Sequence, residues 1–215
     1  MGRVKAAARN IIFGYIGNLT TQLLGFVLRT IFIQHLGQTL NGVNALYTGI
    51  LSVLSMAELG IGTALNYSLY KPVIHKDYEK IKSYMLLYKK AYRIIGFVVA
   101  GIGLAIVPFL PYLVKQPEGV TLRDLTLYYL IFLFNTVSSY FVAYKYSLVN
   151  AEQKNYIQTN IITVTKMITV TLQIIVILTT GNFYAYLLTA ATVELLQKIF
   201  VSRYLNNMYP YLKEK

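Results

Sequence analysis

Three charged side chains stand where charge is costly. Arg29, Glu58 and Lys166 fall inside long apolar stretches of a 215-residue chain. A charge at the centre of a membrane-spanning helix costs about 2.5–3.5 kcal/mol on insertion scales, so such groups face a polar cavity or pair with one another. Glu58 and Lys166 each lie near the middle of their stretch, and Arg29 lies nearer one end. Two arrangements meet the requirement. One is a buried Glu58–Lys166 ion pair that fixes helix packing. The other is a polar cavity with excess positive charge, suited to an anionic substrate. There Arg29 would fork onto phosphate oxygens and Lys166 would act as a point charge.

Spacing groups the neighbouring polar residues with these three. Asn18, Gln22, Gly25 and Arg29 recur at four, three and four, which is one face of a helix. Thr48, Ser55, Glu58, Gly62 and Asn66 share a second face, and Thr159, Thr163, Lys166, Thr169 and Gln173 a third. Asn135, Ser139 and Tyr146 make a weaker stripe. Glu194 and Lys198, four apart, are placed to pair within their own helix. The candidate substrate-binding set is therefore Arg29, Lys166, Glu58, Gln22 and Asn18. Gly14, Gly25, Gly60 and Gly62 are read as points of close helix approach rather than ligands.

Other chemistry is thin. Cysteine is absent, which removes disulfides, thiolate metal sites and a cysteine nucleophile. His35 and His75 lie far apart, without a carboxylate cluster beside either. There is no Gly-rich phosphate loop and no recognisable nucleophile motif. The expectation is a protein that is not an enzyme and carries no metal or cofactor.

The elements that must position these residues are six apolar stretches, at about 11–36, 43–70, 94–114, 125–149, 156–180 and 183–204. Each is near or above the roughly 20 residues needed to cross the hydrocarbon core as a helix. None alternates as a barrel strand would. The fold class expected is all-α, an integral membrane bundle of about six transmembrane helices in one lobe. Arg3, Lys5 and Arg9 before the first stretch resemble a signal peptide. The long apolar run without a small-x-small site reads instead as a retained first helix. Gly96 to Val114 has no polar side chain except Tyr112, the pattern of a helix facing lipid.

Composition agrees. The chain is 56% hydrophobic and 13% charged, about half the usual charged share, yet its net charge is +12. The lysines and arginines sit beside apolar runs, which fits anionic headgroups better than nucleic acid. Arg3, Lys5, Arg9, the lysines between the second and third stretches, Lys145, Lys154, Arg203, Lys213 and Lys215 fall on one set of loops. Only Lys115 and Arg123 fall on the alternate set. By the positive-inside rule both termini are cytoplasmic. The outer turns are then 37–42, 115–124 and 180–182. Between Asp77 and Arg93, Ile81, Tyr84, Met85, Tyr88 and Tyr92 recur at helical spacing among lysines. This segment is expected as an amphipathic interfacial helix at about 77–93, or else as a solvated extension of the third span.

The stretch FVLRTIFIQHLGQTLNGVNALYTGILSVLSMAELGIGTALNYSLYKP, Phe26 to Pro72, resembles the opening of bacterial polysaccharide exporters. These are the O-antigen and capsule repeat-unit flippases of the multidrug/oligosaccharidyl-lipid/polysaccharide exporter superfamily. The likeness lies in an Arg late in the first helix, an HLG turn, AELGIG in mid-span and SLYKP at the exit. YKYSLVNAEQKNY, Tyr144 to Tyr156, and MYPYL, Met208 to Leu212, resemble later signatures of the family. The resemblance implies translocation of undecaprenyl-diphosphate-linked oligosaccharide across the bacterial cytoplasmic (inner) membrane, by a fold of two six-helix lobes around a cavity. It maps a basic cavity residue onto Arg29 and, less directly, Lys166, and puts a polar or charged residue at Glu58. The family has twelve or more spans. This chain is thus expected to be one lobe, an amino-terminal half whose partner is a second six-helix lobe or a second copy in a homodimer, besides membrane lipids. Two other readings remain at this level. One is a multidrug/cation antiporter of the same superfamily, marked by mid-membrane carboxylates. The other is a non-transporting scaffold of a glycan-synthesis complex.

Overall fold

A computed structural model describes residues 2–58, 61–114 and 116–212, with the side chains of 2–7, Ala57 and Ile61 excepted. Gly60, Lys115, Lys213 and Lys215, and the side chains of Arg3 and Lys5, lie outside the described residues.

The described chain is helical from end to end, without a strand. Its elements are α1 (Gly2–Ser55), a 3-10 turn (Met56–Glu58), α2 (Ile61–His75), α3 (Tyr78–Ile106), a 3-10 turn (Val107–Phe109), α4 (Leu110–Leu113), α5 (Leu122–Ala151), α6 (Asn155–Thr180), α7 (Phe183–Met208) and a closing 3-10 turn (Pro210–Leu212). Five stretches are long and apolar enough to cross a membrane: Ala8–Ser55, Tyr78–Leu113, Leu122–Ala151, Asn155–Thr180 and Phe183–Met208. Between 11% and 28% of the residues in their most apolar windows are buried, so the helices turn most of their apolar surface outward. Phe26, Phe97 and Tyr112 are among the side chains so exposed. A soluble domain would bury such residues; a bundle of this kind needs lipid around it.

Gly37 divides α1 into two arms. Its φ of 86° and ψ of 163° lie where a side chain is disfavoured, and the chain reverses there. Gly25 and Arg29 before it line the same cavity as Asn44, Thr48 and Ser52 after it. The first arm then runs parallel to α6. Asn10 donates to the Gln153 carbonyl (2.8 Å) and accepts from the Tyr156 amide (3.1 Å). Further along, Gly17 meets Thr159 and Thr163. At the far end Phe32 packs edge-on against Phe183 and Tyr186, beyond the end of α6.

The expected stretch at 43–70 is not one helix. Residues 38–55 descend, the 3-10 turn interrupts them, and α2 continues from Ile61. Nor is 77–93 a separate element lying apart from the third span. Asp77 caps the helix by accepting from the Lys80 amide (3.1 Å), and α3 then runs unbroken to Ile106. No glycine or proline interrupts it before Gly96. The anticipated apolar face is buried: Ile81, Met85, Tyr88 and Tyr92 pack inward, the first three with Leu69, Leu148, Val201 and Leu205. Pro108, which lacks an amide hydrogen, accompanies the 3-10 turn that ends α3. The remaining helices run slightly past their expected ends, to Leu122–Ala151, Asn155–Thr180 and Phe183–Met208.

Side-chain capping fixes the turns. Thr121 and Asp124 form a capping box at α5. Gly181, in the left-handed region, closes α6, and Asn182 accepts from the Ala185 amide to start α7 (3.2 Å). Across helices, buried tyrosines donate to backbone carbonyls: Tyr47 to Leu125 (3.0 Å), Tyr129 to Gly103 (3.0 Å) and Tyr88 to Leu65 (2.6 Å). Each supplies a polar phenol with a partner where lipid offers none.

The two ends of the bundle differ. Asn10 at Gln153, Tyr209 on Glu152 and Tyr78 against Tyr211 gather residues 9–10, 77–93, 145–155 and 203–212 at one end. Most described basic residues collect there. Gly37, Arg123, Asp124 and Gly181 lie at the other, where Tyr184 reaches Asp124 (3.5 Å).

Candidate functional site

The reversal at Gly37 leaves a gap between the arms of α1. Two adjoining cavities, of about 550 and 460 Å³, share Asn44, Thr48, Ser52, Lys166 and Tyr186 in their walls. Together they form one groove bounded by both arms of α1 and by α5, α6 and α7. Arg29 stands at one end, Lys166 is common to both parts, and Asn135 and Glu194 close the other end.

The groove is polar because two helical stripes converge on it. Asn41, Asn44, Thr48, Ser52 and Ser55 recur every three to four residues along the second arm, so one face of it lines the wall. Lys166, Thr169 and Gln173 do the same from α6. Gln173 is fixed by donating to the Tyr186 carbonyl (3.2 Å). Among the described residues, neither Arg29 nor Lys166 is in a hydrogen bond or ion pair, so both cations are available to a ligand in the groove.

Glu194 and Lys198 do not pair directly, as their spacing led one to expect. Asn135 on α5 stands between them. Its side-chain amide donates to Glu194, and its Oδ1 accepts from Lys198 Nζ (2.6 Å). Lys198, buried, also donates to the Asn135 carbonyl (2.8 Å) and to Ser138 Oγ (2.8 Å). The carboxylate is thereby held at the groove wall and the ammonium beside it, with a neutral amide coupling the two charges.

The five anticipated residues separate into two groups. Arg29 and Lys166 line one cavity. Glu58 is elsewhere: the 3-10 turn carries it away from the groove, to lie by the Tyr92 hydroxyl over Gly62. A Glu58–Lys166 ion pair is not among the salt bridges of the described residues. The expectation fails because helical spacing was carried through positions 56–58, where a 3-10 turn replaces the α-helix. Asn18 and Gln22 are exposed on the first arm and are not in the groove wall. The spacing argument missed Asn41, Asn44, Ser52 and Tyr186, although the 41-44-48-52-55 periodicity was there to find. Glu194 was seen only as a partner for Lys198.

Close helix approach is found at Gly62, where a β-carbon would sit 3.1 Å from the Tyr92 hydroxyl, but otherwise falls at different glycines. Nothing lies within 4 Å of a β-carbon placed at Gly14 or Gly25. At Gly17 such a carbon would sit 2.7 Å from Thr163 Oγ1 and 2.8 Å from Thr159 Cγ2. That glycine seats the first arm on α6, the two helices that carry Arg29 and Lys166 to the same cavity.

Comparison with protein-family models, curated proteins and solved structures gives no match for this chain.

Proposed function

We propose that this chain is one lobe of a bacterial inner-membrane transporter that moves a lipid-linked oligosaccharide between leaflets, with both termini cytoplasmic. The observation that carries the reading is the polar groove containing Arg29 and Lys166, two cations without a hydrogen-bond or ion-pair partner among the described residues. A diphosphate bridging lipid and sugar has the charge and the oxygen geometry for an Arg fork beside a Lys point charge. The amides and hydroxyls of Asn41, Asn44, Thr48 and Ser52 suit sugar hydroxyls. The resemblance of Phe26 to Pro72 to polysaccharide flippases points the same way. The groove is only partly enclosed, and a second lobe or a second copy of the chain would complete it. The concentration of basic residues at one end supports its cytoplasmic placement.

Arg29→Ala should abolish export of the polymer while leaving the amount of protein in the membrane unchanged. Normal export by that variant would overturn the assignment.

Glu194 at the groove wall favours a second reading, a cation-coupled antiporter. In that case Glu194→Gln would remove resistance to cationic compounds, and Arg29→Ala would leave it intact.

A further inference from the structure

A cavity of about 760 Å³, larger than either part of the groove, lies outside it at the lysine-rich end. It falls within the about 300–1,000 Å³ typical of small-molecule sites. Its walls come from α3, α5, α7 and the closing 3-10 turn. Three lysines face it, Lys82, Lys89 and Lys145, against one carboxylate, Glu79. Glu79 is engaged with Lys82 at 3.3 Å. Lys145 is fixed in place by Ser202 Oγ (2.6 Å), the Ser202 carbonyl (3.2 Å) and Asn206 Oδ1 (2.9 Å). Lys89, half-buried, has no hydrogen bond or ion pair among the described residues. Met85, Leu86 and Leu205 make the apolar part of the wall, and Leu86 is exposed on its outer side.

Depth decides what would enter. The apolar run of α3 begins at Ile94, and Lys89 stands five residues before it, about 7.5 Å along the helix axis at 1.5 Å per residue. A bilayer with a hydrocarbon core about 30 Å thick and a total of about 40–45 Å has headgroup layers about 5–8 Å deep. Lys89 therefore lies at phosphate level, with Leu86 about one turn further from the hydrocarbon.

We propose that this cavity binds the phosphate of an anionic phospholipid headgroup. Lys89 would contact the phosphate oxygens with the Lys145 charge beside them, and the acyl chains would run along the apolar part of α3 that begins at Ile94. Neither the groove nor the transport reading is needed for this site.

The test is native mass spectrometry of the full chain in detergent, with phosphatidylglycerol or phosphatidylcholine added. The expected result is selective retention of phosphatidylglycerol. Lys89→Gln should weaken it about fivefold, the loss of roughly one cationic contact. Lys89→Arg should keep it, as should Lys80→Gln, which removes an exposed lysine paired with Asp77 outside the cavity. Phosphatidylglycerol, and not phosphatidylcholine, should also raise the melting temperature of the unsubstituted chain, a readout independent of any variant. Equal retention of the two lipids, or equal loss in Lys89→Gln and Lys80→Gln, would overturn the proposal. Displacement by millimolar glycerol 3-phosphate would uphold phosphate chemistry and assign the site to a soluble ester instead of a lipid.

Discussion

Gly17 has a hydrogen where every other residue would drive a carbon into Thr163. Gly17→Val should therefore push the first arm off α6 and destabilise the protein by about 1–3 kcal/mol, the usual range for overpacking. Thermal melting in detergent would check this, and adding Thr163→Ala should recover part of the loss. The Glu194–Asn135–Lys198 chain makes a sharper case. Lys198→Met would leave Glu194 coupled to an amide with no ammonium behind it. Removing one partner of a buried charge pair costs about 3–5 kcal/mol. The double change Lys198→Met with Glu194→Gln should be markedly milder in the same melt. Such residues were partly legible from sequence. Mid-helix charges announce themselves by their cost, so Arg29, Glu58 and Lys166 stood out, while Glu194 and Lys198 were seen only as a pair four residues apart. Their partners did not, because Asn135 bridges two residues more than 50 positions away, and no local spacing encodes that.

Elements were read well where one physical signal dominated. The last three long helices follow directly from apolar length and are bounded by Thr121, Gly181 and Asn182 at their ends. The break at 56–58 escaped notice because the flanking sequence is apolar on both sides and carries no proline. With it went the position of Glu58, since a helical face does not continue across an interruption. The segment at 77–93 misled for a different reason. A lysine-rich amphipathic helix has the same pattern whether its apolar face meets lipid or other helices, and here it meets α2, α5 and α7. Its start is acid-sensitive. The Asp77 carboxyl is held below its usual value of 3.8, chiefly by the Lys80 amide and secondarily by the Lys80 ammonium. A lowered folded-state pKa stabilises above the unfolded value, so this contribution is present at neutral pH. It is lost as pH falls below about 3.8 and through the folded pKa. Amide hydrogen exchange at Lys80 and Ile81 should accelerate in that window, and Asp77→Asn should make it insensitive to acid.

The whole molecule has one basic end and one nearly neutral end, and its orientation can be tested directly because the chain contains no cysteine. In the proposed orientation, a single cysteine at Lys76 should react with an impermeant thiol reagent only after cells are opened. One at Glu118 should react in intact spheroplasts. The opposite pattern would invert the protein and move the phospholipid cavity to the outer leaflet. The pairing of the first arm with α6 has a further consequence, for how the chain is made. Gly17 leaves the ribosome 146 residues before Thr163. At about 5–20 residues per second, the first helix waits roughly 7–30 s for its neighbour. During that interval the insertion machinery or a chaperone must hold Arg29 in the bilayer without its groove. Biogenesis of this protein should therefore depend on whatever shelters a lone arginine until translation catches up.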